Sequence, residues 1–162
     1  MRFGPRSLAG RLVGLVAMLL AIGPAVVVSA PAAQAYAPST ATVAAYQNRV
    51  IYWMNVVRAS YHRGHLYPGW CPGVYAARWS PYLASTGLFY HQDMYTILGG
   101  CKARVAAENL ARGNIGADRV VLAWMASPGH RKNILDGRLN RVGVAAYYSR
   151  GQWTVTADFT QV

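Results

Sequence analysis

WMASPGHRKNIL, residues 124–135, joins an apolar, helix-like stretch to His130 through a Ser-Pro-Gly turn. Upstream, residues 106–110 read AAENL and contain Glu108, the one glutamate of the chain. A carboxylate and an imidazole on one ordered scaffold can form a hydrogen-bonded acid/base pair, half of a metal site, or a structural link. The functional question depends on which of these roles Glu108 and His130 have.

The first thirty-five residues have the composition of a secretory signal. Three arginines within residues 1–11 precede an apolar run at residues 12–28, and Ala33-Gln34-Ala35 then supplies the small-x-small pattern that signal peptidase accepts. We predict a cleaved signal peptide at residues 1–35 and a secreted, extracellular product with no membrane span after cleavage. The alternative is an uncleaved membrane anchor.

Removal of residues 1–35 would leave thirteen basic and five acidic side chains, a formal charge of +8. The remaining length of about 127 residues suits one core, and we predict a short linker at residues 36–41 and one monomeric domain at residues 42–162. Outside the cell, such a basic domain is expected to meet an anionic cell-surface polymer, a glycan or a lipid, and not nucleic acid. Alternatively, the charge only maintains solubility.

Two cysteines, Cys71 and Cys101, remain in the predicted secreted product. An even pair without CxxC spacing, in an oxidising compartment, indicates one disulfide and not a metal site. A pair of free buried thiols is the alternative.

Hydrophobic spacing predicts helices first and a hairpin last. Three- and four-residue apolar steps indicate the first helix, with Asn55 and Arg58 largely outside its apolar stripe. Ser80-Pro81 is typical of a helix start, so the second helix would carry His91. The predicted helices are residues 42–59, 81–98 and 117–126, the predicted strands are 142–148 and 153–159, and residues 61–77 are a loop containing Cys71. Residues 130–135 are at most a short helical turn. The fold class is α+β, with helices packed on a small sheet.

Several short motifs occur in a characteristic order along the chain. They are the helix with Asn55 and Arg58, Arg78-Trp79-Ser80-Pro81-Tyr82-Leu83-Ala84, His91-Gln92-Asp93-Met94, Ala107-Glu108-Asn109-Leu110, the 124–135 run, and Val142-Gly143-Val144. Over residues 42–160 the chain resembles the bacterial branch of the CAP superfamily, the domains related to cysteine-rich secretory proteins, insect-venom antigen 5 and plant pathogenesis-related protein 1. The resemblance implies an α-β-α sandwich with a small antiparallel central sheet and a broad cleft.

In some members of that superfamily the cleft holds two histidines and two glutamates that bind zinc or another divalent ion weakly. Glu108 matches the first glutamate and His130 the second histidine. No histidine lies between Met94 and Glu108, and no glutamate follows Trp124 within a turn. Zinc needs three or four protein ligands, so we predict no cofactor, with a weak metal site at Glu108, His130 and His91 as the alternative.

A Glu108–His130 pair could still act as a general base, which makes these two residues the catalytic candidates. Covalent catalysis would also require a nucleophile, and Ser127 beside Pro128 is better suited to a turn. The alternative is a purely structural role, in which Glu108 and His130 link the third helix to the sheet by hydrogen bonds.

The candidate binding residues are Asn109, Asn133, His62, His65 and Trp70. His62 and His65 lie in an aromatic, basic loop that could bind a ligand or simply be solvated. Aromatic side chains in such a loop can stack on sugar rings or enter a lipid interface, or they can form a minor core pinned by Cys71. Burial of Trp70 would decide for the core.

The leading hypothesis is a secreted, non-enzymatic binding module for a lipid, glycan or cell-wall component. A hydrolase directed at peptides or glycans through the Glu-His pair is the alternative. A purely structural or host-interacting surface protein is the third possibility.

Overall fold

The fold is that of a computed structural model, which describes Met1 and residues 38–161. The predicted signal peptide and its cleavage site lie outside the described residues. The helices are α1 (Thr40–Ser60), α2 (Trp70–Thr86), α3 (Met94–Cys101), α4 (Ala117–Ala126) and α5 (Pro128–Leu135). The strands are β1 (Tyr67–Pro68), β2 (Val105–Gly113), β3 (Arg141–Ser149) and β4 (Gln152–Gln161). Within the described part of the chain, no helix combines the length and apolarity needed to cross a bilayer.

The four strands form one sheet in the order β1-β3-β4-β2. β4 pairs antiparallel with both β2 and β3, and the two-residue β1 pairs parallel with β3. α2 packs on β3 and β4 and contacts α3, while α1, α4 and α5 pack together. These contacts give an α-β-α sandwich, so the predicted α+β class and the antiparallel hairpin are confirmed.

Alternation along β4 gives the sheet two chemically different faces. Val155, Ala157 and Phe159 belong to the apolar core formed with α1 and α4. The intervening residues of β4 are polar and buried: they are Thr154, Thr156, Asp158 and Thr160. Ser80 of α2 donates to the Thr156 hydroxyl at 2.9 Å, which places this polar row under α2. Because side chains alternate across a strand, Asp158 faces the α2 side of the sheet.

The second predicted helix was wrong in position. Residues from Trp70 onward are helical, so Cys71 lies in α2 and not in a loop, and Pro81 lies inside that helix. The Ser80 hydroxyl does not cap a helix; it donates to Ala145 O and Thr156 of the sheet. α2 ends at Thr86 and is capped by Gly87, whose φ of 76° is a conformation that glycine adopts at little cost. His91 therefore lies in the loop between α2 and α3, not on a helix.

Two further elements differ from the sequence prediction. β2 was not predicted at all, because Ala106, Ala107, Glu108 and Asn109 are residue types depleted in strands. Residues 128–135 form a complete eight-residue helix beginning with proline, not a single turn. β2 forms because it pairs with β4, some fifty positions later in the chain. Local sequence patterns do not predict such a long-range pairing.

The predicted disulfide between Cys71 and Cys101 is confirmed, with a sequence separation of 30. It joins the first turn of α2 to the end of α3. Closing a loop of that length restricts the unfolded chain and stabilises the fold by about 3 kcal/mol in the chain-entropy model. The disulfide also fixes both ends of the segment that contains His91.

Arg58 is buried at 1% exposure, although the sequence placed it outside the apolar stripe of α1. Its guanidinium donates to four backbone carbonyls: Gly64 O at 2.5 Å, Ile134 O at 2.8 Å, Asp136 O at 3.0 Å and Leu139 O at 3.1 Å. A buried cation must have its donors satisfied, and here the acceptors are backbone groups of loops and of a helix end. Arg58 therefore ties α1 to the end of α5 and to the segment leading into β3.

Candidate functional site

Glu108 lies in the middle of β2, directly opposite Asp158 of β4. Cross-strand partners in an antiparallel pair point to the same face of the sheet, so both carboxyl groups lie under the α2–α3 layer. The Glu108 side chain is 1% exposed. The sheet thus brings two of the five acidic residues together in a buried environment.

The Glu108 carboxylate is hydrogen-bonded by the loop between α2 and α3. His91 Nδ1 lies 2.7 Å from Glu108 Oε1, which also accepts from the Gln92 backbone N–H at 3.1 Å. The Gln92 side-chain amide donates to Glu108 Oε2 at 2.7 Å and to Asp158 Oδ2 at 2.9 Å. Among the residues that the structure describes, the carboxylate pairs with His91 and Gln92, not with His130.

Contacts on both sides hold this loop in place. Trp79 Nε1 donates to Tyr90 O at 3.1 Å, and the Tyr82 and Tyr90 hydroxyl groups lie 3.0 Å apart. Arg112 of β2 donates to the carbonyls of Gly87, Leu83 and Leu88. His91 and Gln92 are therefore presented by a fixed backbone, which favours a defined geometry at Glu108.

Asp158 is fully buried, and no cation pairs with it within the described residues. Burial raises the pKa of Asp158 to about 8, and the neighbouring Glu108 carboxylate raises it too, whereas the hydrogen bond from Gln92 opposes the rise. Asp158 Oδ1 has no hydrogen-bond partner. At neutral pH, Asp158 is therefore mostly protonated.

His130 lies in the first turn of α5, near β2. Asn109 Nδ2 donates to His130 O at 3.1 Å, while Asn133 Nδ2 donates to Asn109 Oδ1 at 2.9 Å and to Glu108 O at 3.1 Å. Asn109 and Asn133, predicted as binding residues, therefore fasten α5 to β2. Asn109 is fully buried, so its amide is used inside the protein.

His91 and His130 lie close together at the edge of β2. The ring centroids of His91 and His130 are 6.4 Å apart. Burial lowers the pKa of His130, and repulsion from His91 lowers it further, so His130 is neutral at pH 7. A cleft of about 300 Å³ runs beside them and is lined by His91, Met94, Ala106, Ala107, Glu108 and Asn133.

The chemistry available in this cleft depends on the hydrogen bonds and the covalent bonds of its side chains. Glu108 fixes the orientation of His91 through Nδ1, which is how a carboxylate sets the tautomer of a catalytic or ligating imidazole. Cys71 and Cys101 are joined in the disulfide, so neither thiol is a nucleophile. In the part of the chain that the structure describes, no three His, Cys, Asp or Glu side chains are arranged to hold a metal ion.

The remaining predicted binding residues lie on a separate surface. Trp70, the first residue of α2, is 85% exposed, so it is not part of a minor core. His65 packs against Tyr67 with ring centroids 4.9 Å apart, and its Nε2 lies 3.1 Å from Asn55 Nδ2. His62 is exposed at a positive φ of 54°. Neither histidine reaches the Glu108 cleft through a contact in the structure.

Residues 52–159 match the family model for the cysteine-rich secretory protein family, CAP. The chain belongs to the CAP family. A 55-residue stretch is 44% identical to the uncharacterized protein YkwD of Bacillus subtilis (strain 168), covering 34% of this chain and 21% of that protein. The chain thus corresponds to a small part of that relative.

Solved structures with the same fold include extracellular and outer-surface proteins of bacteria. An extracellular protein containing a SCP domain, from Bacillus anthracis str. Ames, superposes with a TM-score of 0.68 at 19% identity, covering 83% of this chain and 45% of that one. An outer surface protein from Borrelia burgdorferi gives a TM-score of 0.65 at 17% identity, covering 70% of this chain and 90% of that one. At these identities, the likeness concerns the fold of the CAP domain.

The wrong boundary of the second predicted helix also affected His91. With α2 ending at Thr86, His91 lies in the loop that follows this helix, where it contacts Glu108. Gln92 and Asp158 were missed as members of the site. The sequence could have indicated Asp158, because it is the one acidic residue in the otherwise uncharged strand 152–161, QWTVTADFTQ.

Proposed function

We propose that this CAP domain is an extracellular module that binds an anionic polymer of the cell envelope without transforming it. The observation that carries the proposal is that every carboxylate side chain of the protein is engaged locally, whereas much of its positive charge is not. Proteins of the extracellular and outer-surface kind share the fold, which is consistent with such a location.

The five acidic side chains have distinct local roles. Glu108 and Asp158 are buried in the site described above. Asp93 caps α3 by accepting from the Tyr95 N–H at 3.0 Å, and Asp136 pairs with Arg138 at 2.6 Å. The fifth, Asp118, lies 3.8 Å from its neighbour Arg119. Among the described residues, no side-chain carboxylate is therefore left to neutralise the other surface cations.

Several cations of the described residues are exposed and have no carboxylate within ion-pair distance: Arg49, Arg63, Arg78, Lys102, Arg104, Arg131, Lys132 and Arg150. They lie on α1, α2, α5 and the connecting segments, so positive potential extends over much of the surface. Such a field attracts polyanions and accelerates their association. It favours a polymer that can make several contacts at once over a small, neutral ligand.

We expect the purified protein to bind a polyanion, such as a polyphosphate chain, with an affinity that falls steeply as ionic strength rises, because screening weakens each contact. Replacing Arg131 and Lys132 together by Gln should weaken binding severalfold. Arg138→Gln is the matched control, because its guanidinium is already paired with Asp136 and should contribute little. Isothermal titration across salt concentrations measures both. Salt-independent binding, or none, would contradict the proposal.

A hydrolase is the second candidate, and the Glu108–His91 contact favours it. A buried carboxylate holds His91 Nδ1, so His91 Nε2 could take a proton from a water molecule in the cleft. For such an enzyme, His91→Gln and Glu108→Gln should each reduce turnover of a peptide or glycan substrate at least about a hundredfold. His62→Gln, on the other surface, should have no effect. Absence of turnover in the parent protein, or equal turnover in all variants, would rule out this candidate.

A further inference from the structure

We propose that Trp70, Tyr67 and Arg141 form a preorganised site for an anionic sugar residue, with the Trp70 ring stacking on the sugar and Arg141 binding its acidic substituent. This inference rests on the proposed function, since it names the chemical class of the polymer as an acidic polysaccharide. It also assigns a location that is distinct from the His91–His130 cleft.

The first support is exposure on a rigid backbone. Trp70 is 85% exposed and Tyr67 is 54% exposed. An exposed tryptophan within a flexible loop would need no explanation, but here the backbone is fixed on both sides. The Tyr67 N–H donates to Asn140 O at 3.0 Å, the Gly69 N–H donates to Val142 O at 2.9 Å, and Cys71 is held by the disulfide. Because the backbone on both sides of Trp70 is already ordered, little backbone entropy is lost when the ring binds.

The second support is the position of Arg141. β1 pairs with β3 so that Tyr67 lies opposite Arg141, and the Arg141 guanidinium lies over the Tyr67 ring, 5.5 Å from its centroid. A Cβ added at Gly69 would lie 3.1 Å from Arg141 Cβ, so the arginine passes directly beside the residue that precedes Trp70. In the described part of the chain, no carboxylate forms an ion pair with Arg141.

The third argument concerns the choice of ligand. A surface that inserts into a bilayer needs a contiguous apolar patch. Here a cation lies over Tyr67 and beside the residue that precedes Trp70, and the His65 ring also packs against Tyr67. A sugar ring combines an apolar C–H face with polar substituents at its rim, and an acidic sugar adds the anion that suits arginine. The mixture of exposed rings and a cation therefore fits a polysaccharide better than a lipid surface.

The experiment compares two probes with the purified protein: a hexagalacturonate oligosaccharide and a polyphosphate chain of equal charge. Trp70→Ala should weaken hexagalacturonate binding about tenfold or more, since tryptophans that become buried in an interface dominate binding energies, and should leave polyphosphate binding unchanged. Trp70→Phe, which keeps a ring, should restore part of the loss. Tyr147→Ala is the matched control, because Tyr147 is 46% exposed on β3, six residues along that strand from Arg141. Isothermal titration and the quenching of tryptophan fluorescence give the readouts.

The outcomes separate this inference from the proposed function. If Trp70→Ala weakens both probes equally or neither, the sugar site is overturned while polyanion binding stands. If Trp70→Ala abolishes binding to phosphatidylglycerol vesicles but leaves hexagalacturonate binding intact, the surface is a lipid site and the inference is wrong. If the parent protein binds neither probe nor the vesicles, the proposed function itself fails.

Discussion

Gly143→Ala is expected to abolish stable folding, or to lower the free energy of unfolding by about 4 kcal/mol or more. Gly143 lies in β3, where a Cβ would collide with the backbone of Pro72 and Gly73 in α2. Backbone atoms cannot rotate away as a side chain would, so α2 would have to move off the sheet. Ala76, Ser80 and Leu83 of α2 would then lose their burial.

Gly129→Ala is the matched control for that substitution. Gly129 lies in the first turn of α5, and a Cβ there would meet no atom within 4 Å. Alanine has the higher helix propensity, so this variant should be stabilised, if anything, by up to about 1 kcal/mol. Urea unfolding of the three proteins provides the comparison. A Gly143→Ala protein whose midpoint matches the parent would show that α2 and β3 are not packed as described.

The second large effect is a decline in stability with rising pH that originates at Asp158. The pKa of Asp158 is raised to about 8 in the folded protein, mainly by burial and then by Glu108. In the unfolded chain it returns to about 4. Between these values the folded state holds a proton that the unfolded state has released, so the free energy of unfolding falls as pH rises through this window and levels off above about 8.

Asp158→Asn should remove most of this dependence. An asparagine cannot ionise, and its amide oxygen can still accept from Gln92. A single group with such a shift contributes a slope of up to about 1.4 kcal/mol per pH unit. Urea unfolding at pH values from about 5.5 to 8.5, the window that the shift defines, should therefore show a declining free energy for the parent and a flatter one for the variant, which becomes the more stable protein at the alkaline end.

Asp136→Asn is the control for the pH experiment. Arg138 lowers the pKa of Asp136 through hydrogen bonds, so this carboxylate stabilises the fold at neutral pH and loses its effect as pH falls through its folded-state pKa. Its replacement should reduce stability slightly and leave the decline over the same neutral-to-alkaline window intact. An unchanged slope in Asp158→Asn, or a parent whose stability rises over that window, would show that Asp158 ionises without cost.

Elements with strong local signals were predicted well. The apolar spacing of residues 42–59 indicated a helix, and α1 spans Thr40–Ser60. The strands predicted at residues 142–148 and 153–159 form the hairpin of β3 and β4. In both cases, the pattern of side chains is a property of a short segment, so the sequence contains it directly.

The candidate site was predicted only in part, because its geometry depends on distant pairings. Glu108 and His130 were chosen from their motifs, yet the partner of Glu108 is His91. That pairing exists because α2 ends at Thr86, which leaves His91 in a loop, and because β2 pairs with β4 to bring Glu108 opposite Asp158. Ser80-Pro81 suggested a helix start, but packing of α2 on the sheet overrides the local signal.

The order of short motifs carried the resemblance to the CAP family. Local patterns and composition were sufficient for the order of helices and hairpin, the disulfide and the excess of positive charge, since none of these requires knowing which distant residues are in contact. The tertiary structure decided which distant residues lie together: the buried carboxyl pair of Glu108 and Asp158, the two histidines at the edge of β2, and the exposed Trp70 near Arg141. The run WMASPGHRKNIL thus specified the fold, while the partners of its histidine were set by strand pairing, which depends on residues far apart in the chain.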